Sequence, residues 1–123
     1  MTWRILLVDD EPAILITLKA ILEMNNYEVV TAVSSADAKL RLGAETYDLV
    51  ISDLKMEHER AGFDVVRFAR EQSCPPAVVI LRACPDLGKD WTEQGAENLL
   101  SKPINTPELL ECIEAVLSRQ QIT

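Results

Sequence analysis

The sequence predicts a doubly wound α/β sandwich built on a five-stranded parallel sheet. Five apolar runs of strand length, at residues 5–8, 29–30, 49–51, 77–81 and 99–100, alternate with segments whose apolar residues recur at helical spacing. The chain has 123 residues, 48% of them hydrophobic, enough for one core but not for two. Strand–helix alternation on this scale means βαβ units, which connect right-handedly and cover the sheet on both faces. We therefore expect one domain over 1–123, with its core from about residue 3 to 117 and a short, dispensable tail at 118–123.

Each element has its own signal. Ile5-Leu6-Leu7-Val8 is a continuous apolar run, as expected of a strand buried on both faces. Ile14, Leu18, Ile21 and Leu22 then mark one helix face, and Asn25-Asn26 suits the turn into Val29-Val30. A second helix starts at Ser34-Ser35-Ala36-Asp37, where a capping box is foreshadowed, and stops near Gly43. After Leu49-Val50-Ile51, a third helix follows Gly62, with Phe63, Val66 and Ala69 on one side, and ends before Cys74-Pro75-Pro76. Beyond Ala77–Leu81, the segment Cys84–Gln94 contains Pro85 and Gly88, so a fourth helix there is short or irregular. In the last helix Thr106 caps, Pro107 takes the first position, and Leu109, Ile113, Val116 and Leu117 form the buried stripe.

Composition excludes several functions. Twenty acidic residues against twelve basic give a net charge of −8, which repels nucleic-acid backbones, so no direct nucleic-acid binding is expected. No apolar run has membrane-spanning length and no cleavable leader opens the chain, so we expect a cytoplasmic protein without a membrane segment. Cys74, Cys84 and Cys112 are odd in number and widely spaced, which suits bystander thiols better than a metal or redox motif. His58, flanked by glutamates, reads as a solvated loop residue, and Trp91 as a core anchor.

In doubly wound sheets ligands bind beyond the carboxyl ends of the strands, where strand order reverses. Asp9-Asp10-Glu11 follows the first strand, Asp53 follows the third, and Lys102-Pro103 follows the fifth. Singly, each has an ordinary explanation: aspartates end strands and cap helices, Glu11-Pro12 begins a helix, and a lysine before proline sits on a surface. Together they bring three acids and one base to one edge. Like charges about 4 Å apart repel by roughly 1 kcal/mol in water and about four times that near a protein surface, and a divalent cation relieves this. Mg²⁺ suits a few carboxylate oxygens with open positions for a phosphate, with Asp10 the expected direct ligand and Asp9 working through water.

Here the chain resembles the receiver domains of two-component response regulators. The resemblance rests on Leu7-Val8-Asp9-Asp10-Glu11, on Tyr47 through Leu54 with Met56 after it, and on Gly62, Gly95-Ala96 and Lys102-Pro103. It implies the flavodoxin-like strand order 2-1-3-4-5. It further implies that Asp53 accepts a phosphoryl group from a sensor histidine kinase or phosphotransfer protein. Mg²⁺ would be held by Asp9, Asp10, Asp53 and the backbone carbonyl of Lys55, and Lys102 would neutralise phosphoryl charge. No organic cofactor is implied. Such a domain is a switch, not a turnover enzyme, and reports to an effector protein or an output domain.

The sequence departs from this family at the switch positions. A small hydroxyl residue is usual at the end of the fourth strand and an aromatic one in the fifth; these positions fall on Arg82 and Leu99. Arg82 has two readings: it pairs with the phosphoryl group or lies across the carboxylates, or it points to solvent. After Met56, Glu57 stands where proline is frequent, and Gly62 comes one residue late. A pseudo-receiver that binds partners without phosphorylation is the alternative function. A hydrolase is disfavoured because aspartyl-nucleophile phosphatases generally separate their paired aspartates by one residue.

Overall fold

The computed structural model describes residues 2–58, 60–82, 96, 98–102 and 104–121. The sheet contains β1 (Arg4–Val8), β2 (Glu28–Ala32), β3 (Leu49–Asp53), β4 (Ala77–Arg82) and β5 (Asn98–Ser101). All pairings are parallel and the order is β2-β1-β3-β4-β5, as expected. Strand order reverses between β1 and β3, so the carboxyl ends of these neighbours meet at one crevice.

Alternation along each strand sorts its side chains into two cores. Ile5, Leu7, Leu49, Ile51, Val79 and Leu81 join Leu15, Leu18 and Leu22 of α1 (Pro12–Met24) and Leu109, Ile113, Val116 and Leu117 of α4 (Thr106–Gln121). Leu6, Val8, Val50, Val78 and Ile80 instead join Ala38 and Leu42 of α2 (Ser35–Ala44) and Phe63, Val65, Val66 and Ala69 of α3 (Ala61–Arg70). Covering both faces explains why the strands read as unbroken apolar runs rather than alternating ones.

The helix starts refine the sequence reading. At α2, Ser34 Oγ accepts from the Asp37 N–H at 3.0 Å, while Asp37 Oδ2 accepts from the Val33 N–H at 3.1 Å. The expected reciprocal cap is present, displaced by one residue on its return arm. At α4 the cap is Asn105, not Thr106. Its Oδ1 accepts from the Glu108 N–H at 3.1 Å, which moves Thr106 and Pro107 to the first two helical positions. That helix runs through Gln121, so residues 118–121 continue α4. Asn26, at φ 70°, makes the left-handed turn out of α1, a conformation asparagine tolerates. The expected fourth helix at Cys84–Gln94, Trp91 within it, and Pro103 lie outside the described residues.

Candidate functional site

Parallel pairing of β1 with β3 in the register Leu7↔Ile51 and Val8↔Ser52 brings Asp9 and Asp53 to the same edge. The Asp9 N–H continues the ladder by donating to the Ala32 carbonyl at 3.1 Å, so its side chain leaves on the α1 and α4 side, as does that of Asp53. Asp53 is the last residue of β3 rather than the first residue of the loop. Asp9 and Asp53 are buried; Asp10 and Glu11 are exposed. One carboxylate oxygen from each of these four residues lies within 4.8 Å of the others.

Lys102, directly after β5, reaches this cluster. Its position follows from the Val79↔Asn98 through Arg82↔Ser101 register and from its N–H, which donates to the Arg82 carbonyl at 2.7 Å. Its Nζ lies 3.2 Å from Asp9 Oδ2, 3.2 Å from Asp53 Oδ2 and 3.6 Å from Glu11 Oε1. Asp9 Oδ1 accepts from the Glu11 N–H at 3.0 Å. The sequence reading assigned Glu11 to the helix start, but Glu11 makes no side-chain cap there and turns towards Lys102 instead.

The electrostatics follow from this geometry. Burial raises the Asp53 carboxyl to about 6, the charge of Asp9 adds to this, and Lys102 only partly opposes it. Burial also raises Asp9, against the Glu11 N–H and Lys102. For Lys102, burial pulls the ammonium down, but Asp53 and Asp9 outweigh it and the net shift is upward. Lys102 is thus held charged among acids that one ammonium does not neutralise. Hard carboxylate oxygens at this spacing are the donors Mg²⁺ takes, and the remaining negative charge is what such a cation relieves.

The loop after Asp53 is closely fitted. The Leu54 N–H donates to Leu81 at 2.9 Å and the Gly62 N–H to Leu54 at 2.8 Å, while Leu54 and Met56 are buried in the α2 and α3 core. A Cβ on Gly62 would lie 2.5 Å from the Asp53 carbonyl oxygen and 2.7 Å from Leu54 Cα. Only glycine lets α3 approach the acceptor strand this closely. His58 is exposed, as expected, but its Nε2 stands 2.8 Å from Asp64 Oδ2 on α3, and Asp64 also pairs with Arg67.

At the switch positions, the residue in register with Asp53 is Leu81, which is fully buried in the α1 and α4 core. Arg82 comes one residue later, half-buried, with its Nε lacking a hydrogen-bond partner among the described residues. No ion pair within that set joins Arg82 to the acids. Leu99 pairs with Ile80 through the backbone ladder; its side chain lies outside the described residues. No helix described is long and apolar enough to cross a membrane.

Known proteins place the chain and its fold in a family. The sequence profile of the response regulator receiver domain matches residues 5–114. The chain is 37% identical to the alginate biosynthesis transcriptional regulatory protein AlgB of Pseudomonas aeruginosa, covering 98% of this chain and 27% of that protein. It is 33% identical to protein PilH of the same organism, covering 94% of this chain and 98% of PilH. It therefore spans about a quarter of the length of AlgB but nearly all of PilH. A CheY-like receiver domain from Methanospirillum hungatei superposes with a TM-score of 0.91 at 28% identity, covering 98% of both chains. A receiver domain from Clostridium thermocellum gives 0.86 at 33% identity, again covering 98% of each. With a strand order of 2-1-3-4-5, acids converging beyond β1 and β3, and a profile match over most of its length, this chain belongs to the receiver domains of two-component response regulators.

Proposed function

We propose that this chain is a phospho-accepting switch in which Asp53 takes a phosphoryl group from a phosphohistidine of a sensor histidine kinase or phosphotransfer protein. The observation that carries the reading is the position of Lys102 Nζ, 3.2 Å from both the Asp9 and the Asp53 carboxylates at the strand-reversal crevice.

An Asp53 oxygen forms the new bond to phosphorus as the phosphorus–nitrogen bond of the donor breaks, and the departing imidazole keeps that electron pair. The product is a mixed anhydride on Asp53. With its pKa raised to about 6 by burial, Asp53 remains ionised at neutral pH and is more basic than an ordinary aspartate, which favours attack. Lys102 is already beside the oxygens that gain charge, so it stabilises transfer without rearranging. Asp9, Asp10 and Asp53, with the backbone carbonyl of Lys55, would hold Mg²⁺, which when bound offsets negative charge on the phosphoryl oxygens.

The chain acts once per donor encounter, as a switch rather than a turnover enzyme, and works in the cytoplasm, where its donor's phosphohistidine is presented. Its readout passes to an effector protein or to a further output domain. Leu81, Arg82 and Leu99 all lack the hydroxyl that usually reports the phosphoryl group, so the report takes another route in this chain. The test is incubation with a small acyl phosphate and Mg²⁺, read by intact mass. A single phosphate-sized increase that is lost in Asp53→Asn supports the proposal. No adduct at saturating donor would leave the chain a phosphorylation-independent interaction module.

A further inference from the structure

The loop between β3 and α3 contains a carboxylate whose partners the acid pocket does not explain. Glu57 reaches out of its own loop to the first turn of α2. Both of its oxygens lie 3.0 Å from the Ser35 nitrogen, and Oε2 also accepts from Ser35 Oγ at 2.7 Å and from the Ala36 N–H at 3.4 Å. The α2 start is already capped by Ser34 and Asp37, so Glu57 satisfies the donors those residues leave over. These bonds and the positive end of the helix hold the Glu57 carboxyl down at about 2, although burial acts in the opposite direction.

The consequence for the site lies in what Glu57 holds. Leu54 and Met56 are buried while Lys55 between them is exposed. No backbone N–H among the described residues donates to the Lys55 carbonyl. A carbonyl in a surface loop needs its loop fixed before it can serve a cation. Leu54 is fixed from the strand side by its bonds to Leu81 and Gly62, and the Met56 N–H bonds back to the His58 carbonyl at 3.1 Å. The Glu57 bond to α2 closes the other side. Glu57 is thus a loop carboxylate that anchors its loop to a neighbouring helix.

We infer that Glu57 is a positioning residue for the Mg²⁺ site: by anchoring the β3–α3 loop to the first turn of α2, it preorganises the Lys55 carbonyl and couples cation binding to α2. This rests on the proposed phospho-accepting function. By linkage, a cation that favours the anchored loop must in turn tighten the α2 start.

The test compares wild type with Glu57→Ala, Glu57→Gln and Asp37→Ala, titrating Mg²⁺ alone by calorimetry and following amide exchange at Ser35 and Ala36. Asp37→Ala weakens the same helix start without touching the anchor, so it reports a merely structural effect. Glu57→Ala is expected to raise the Mg²⁺ concentration for half-saturation about tenfold, the scale for residues that orient metal ligands, with Glu57→Gln in between. Asp37→Ala should stay within about twofold. The rate of phosphoryl uptake at saturating Mg²⁺ should change little in Asp37→Ala. Mg²⁺ should slow exchange at Ser35 and Ala36 in wild type but not in Glu57→Ala. The inference is overturned if Glu57→Ala leaves half-saturation unchanged, or if Asp37→Ala shifts it equally. Wild-type protein that binds no Mg²⁺ would instead sink the reading of the acid pocket, and this inference with it.

Discussion

The ammonium of Lys102 stands 3.2 Å from the Asp53 carboxylate, although Asp53 ends β3 and Lys102 follows β5, with β4 between them. The same nitrogen is shared at equal distance with the fully buried Asp9. The pocket therefore holds two buried acids on one base, and changing any of the three redistributes charge that solvent screens poorly.

Asp53→Asn should abolish phosphoryl uptake and yet stabilise the metal-free fold at neutral pH. The folded-state pKa of Asp53, about 6, exceeds its ordinary value of 3.8, so between these values the folded protein binds more protons than the unfolded chain. Stability accordingly falls as pH rises through that window, and the whole penalty remains at pH 7. Removing the charge should return about 1–3 kcal/mol at pH 7 and almost nothing below pH about 4. Urea unfolding in chelator at both pH values measures this. Equal stabilisation at both would contradict the burial argument.

Lys102→Ala should act in the opposite direction. It leaves Asp9 buried with, among the described residues, only the Glu11 N–H as partner, an uncompensated charge that should destabilise the fold by about 2–3 kcal/mol. Phosphoryl uptake should fall by about a hundredfold, the effect of losing one preorganised charge stabiliser. Mg²⁺ should restore part of the stability but not the uptake rate.

Gly62→Ala forces a methyl group against backbone atoms of Asp53 and Leu54, which are not the free end of a side chain and cannot yield locally. We expect about 2 kcal/mol of destabilisation, together with slower uptake because the end of β3 has to shift. Denaturation midpoints and uptake kinetics should change together. A stable variant with normal uptake would show that α3 moves away freely.

Mg²⁺ should stabilise the wild-type fold by mass action, by about 1.4 kcal/mol at ten times its dissociation constant. Asp10→Asn should require more cation for the same gain while leaving metal-free stability nearly unchanged, because Asp10 is exposed and makes none of the ion pairs to Lys102. Thermal unfolding across a Mg²⁺ series tests both statements.

Asn105→Ala should cost about 1 kcal/mol by removing the α4 cap, while Thr106→Ala should fall within a few tenths of wild type. Chemical denaturation of the two variants distinguishes the caps directly.

Much of this molecule is legible from the sequence because the relevant signals are local. Ile5–Val8 and Ala77–Leu81 announce buried strands without any partner, since a strand covered on both faces has no polar side to show. Asp9, Asp10, Asp53 and Lys102 follow apolar runs, and the doubly wound connection carries them all to one edge. What lies across the chain is not legible. Register alone decides that Leu81, not Arg82, stands level with Asp53, because a one-residue shift exchanges the faces of a strand. Asn105 and Thr106 are both competent caps, and the structure selects Asn105. Glu57 reads as an exposed loop acid until α2 presents its unsatisfied N–H groups. The sequence by itself determined the five strands, their helical cover and the charges at the sheet edge. Only tertiary structure decided that one ammonium serves three carboxylates and that the acceptor loop is anchored to α2, because hydrogen bonds and ion pairs depend on distances that no local pattern encodes.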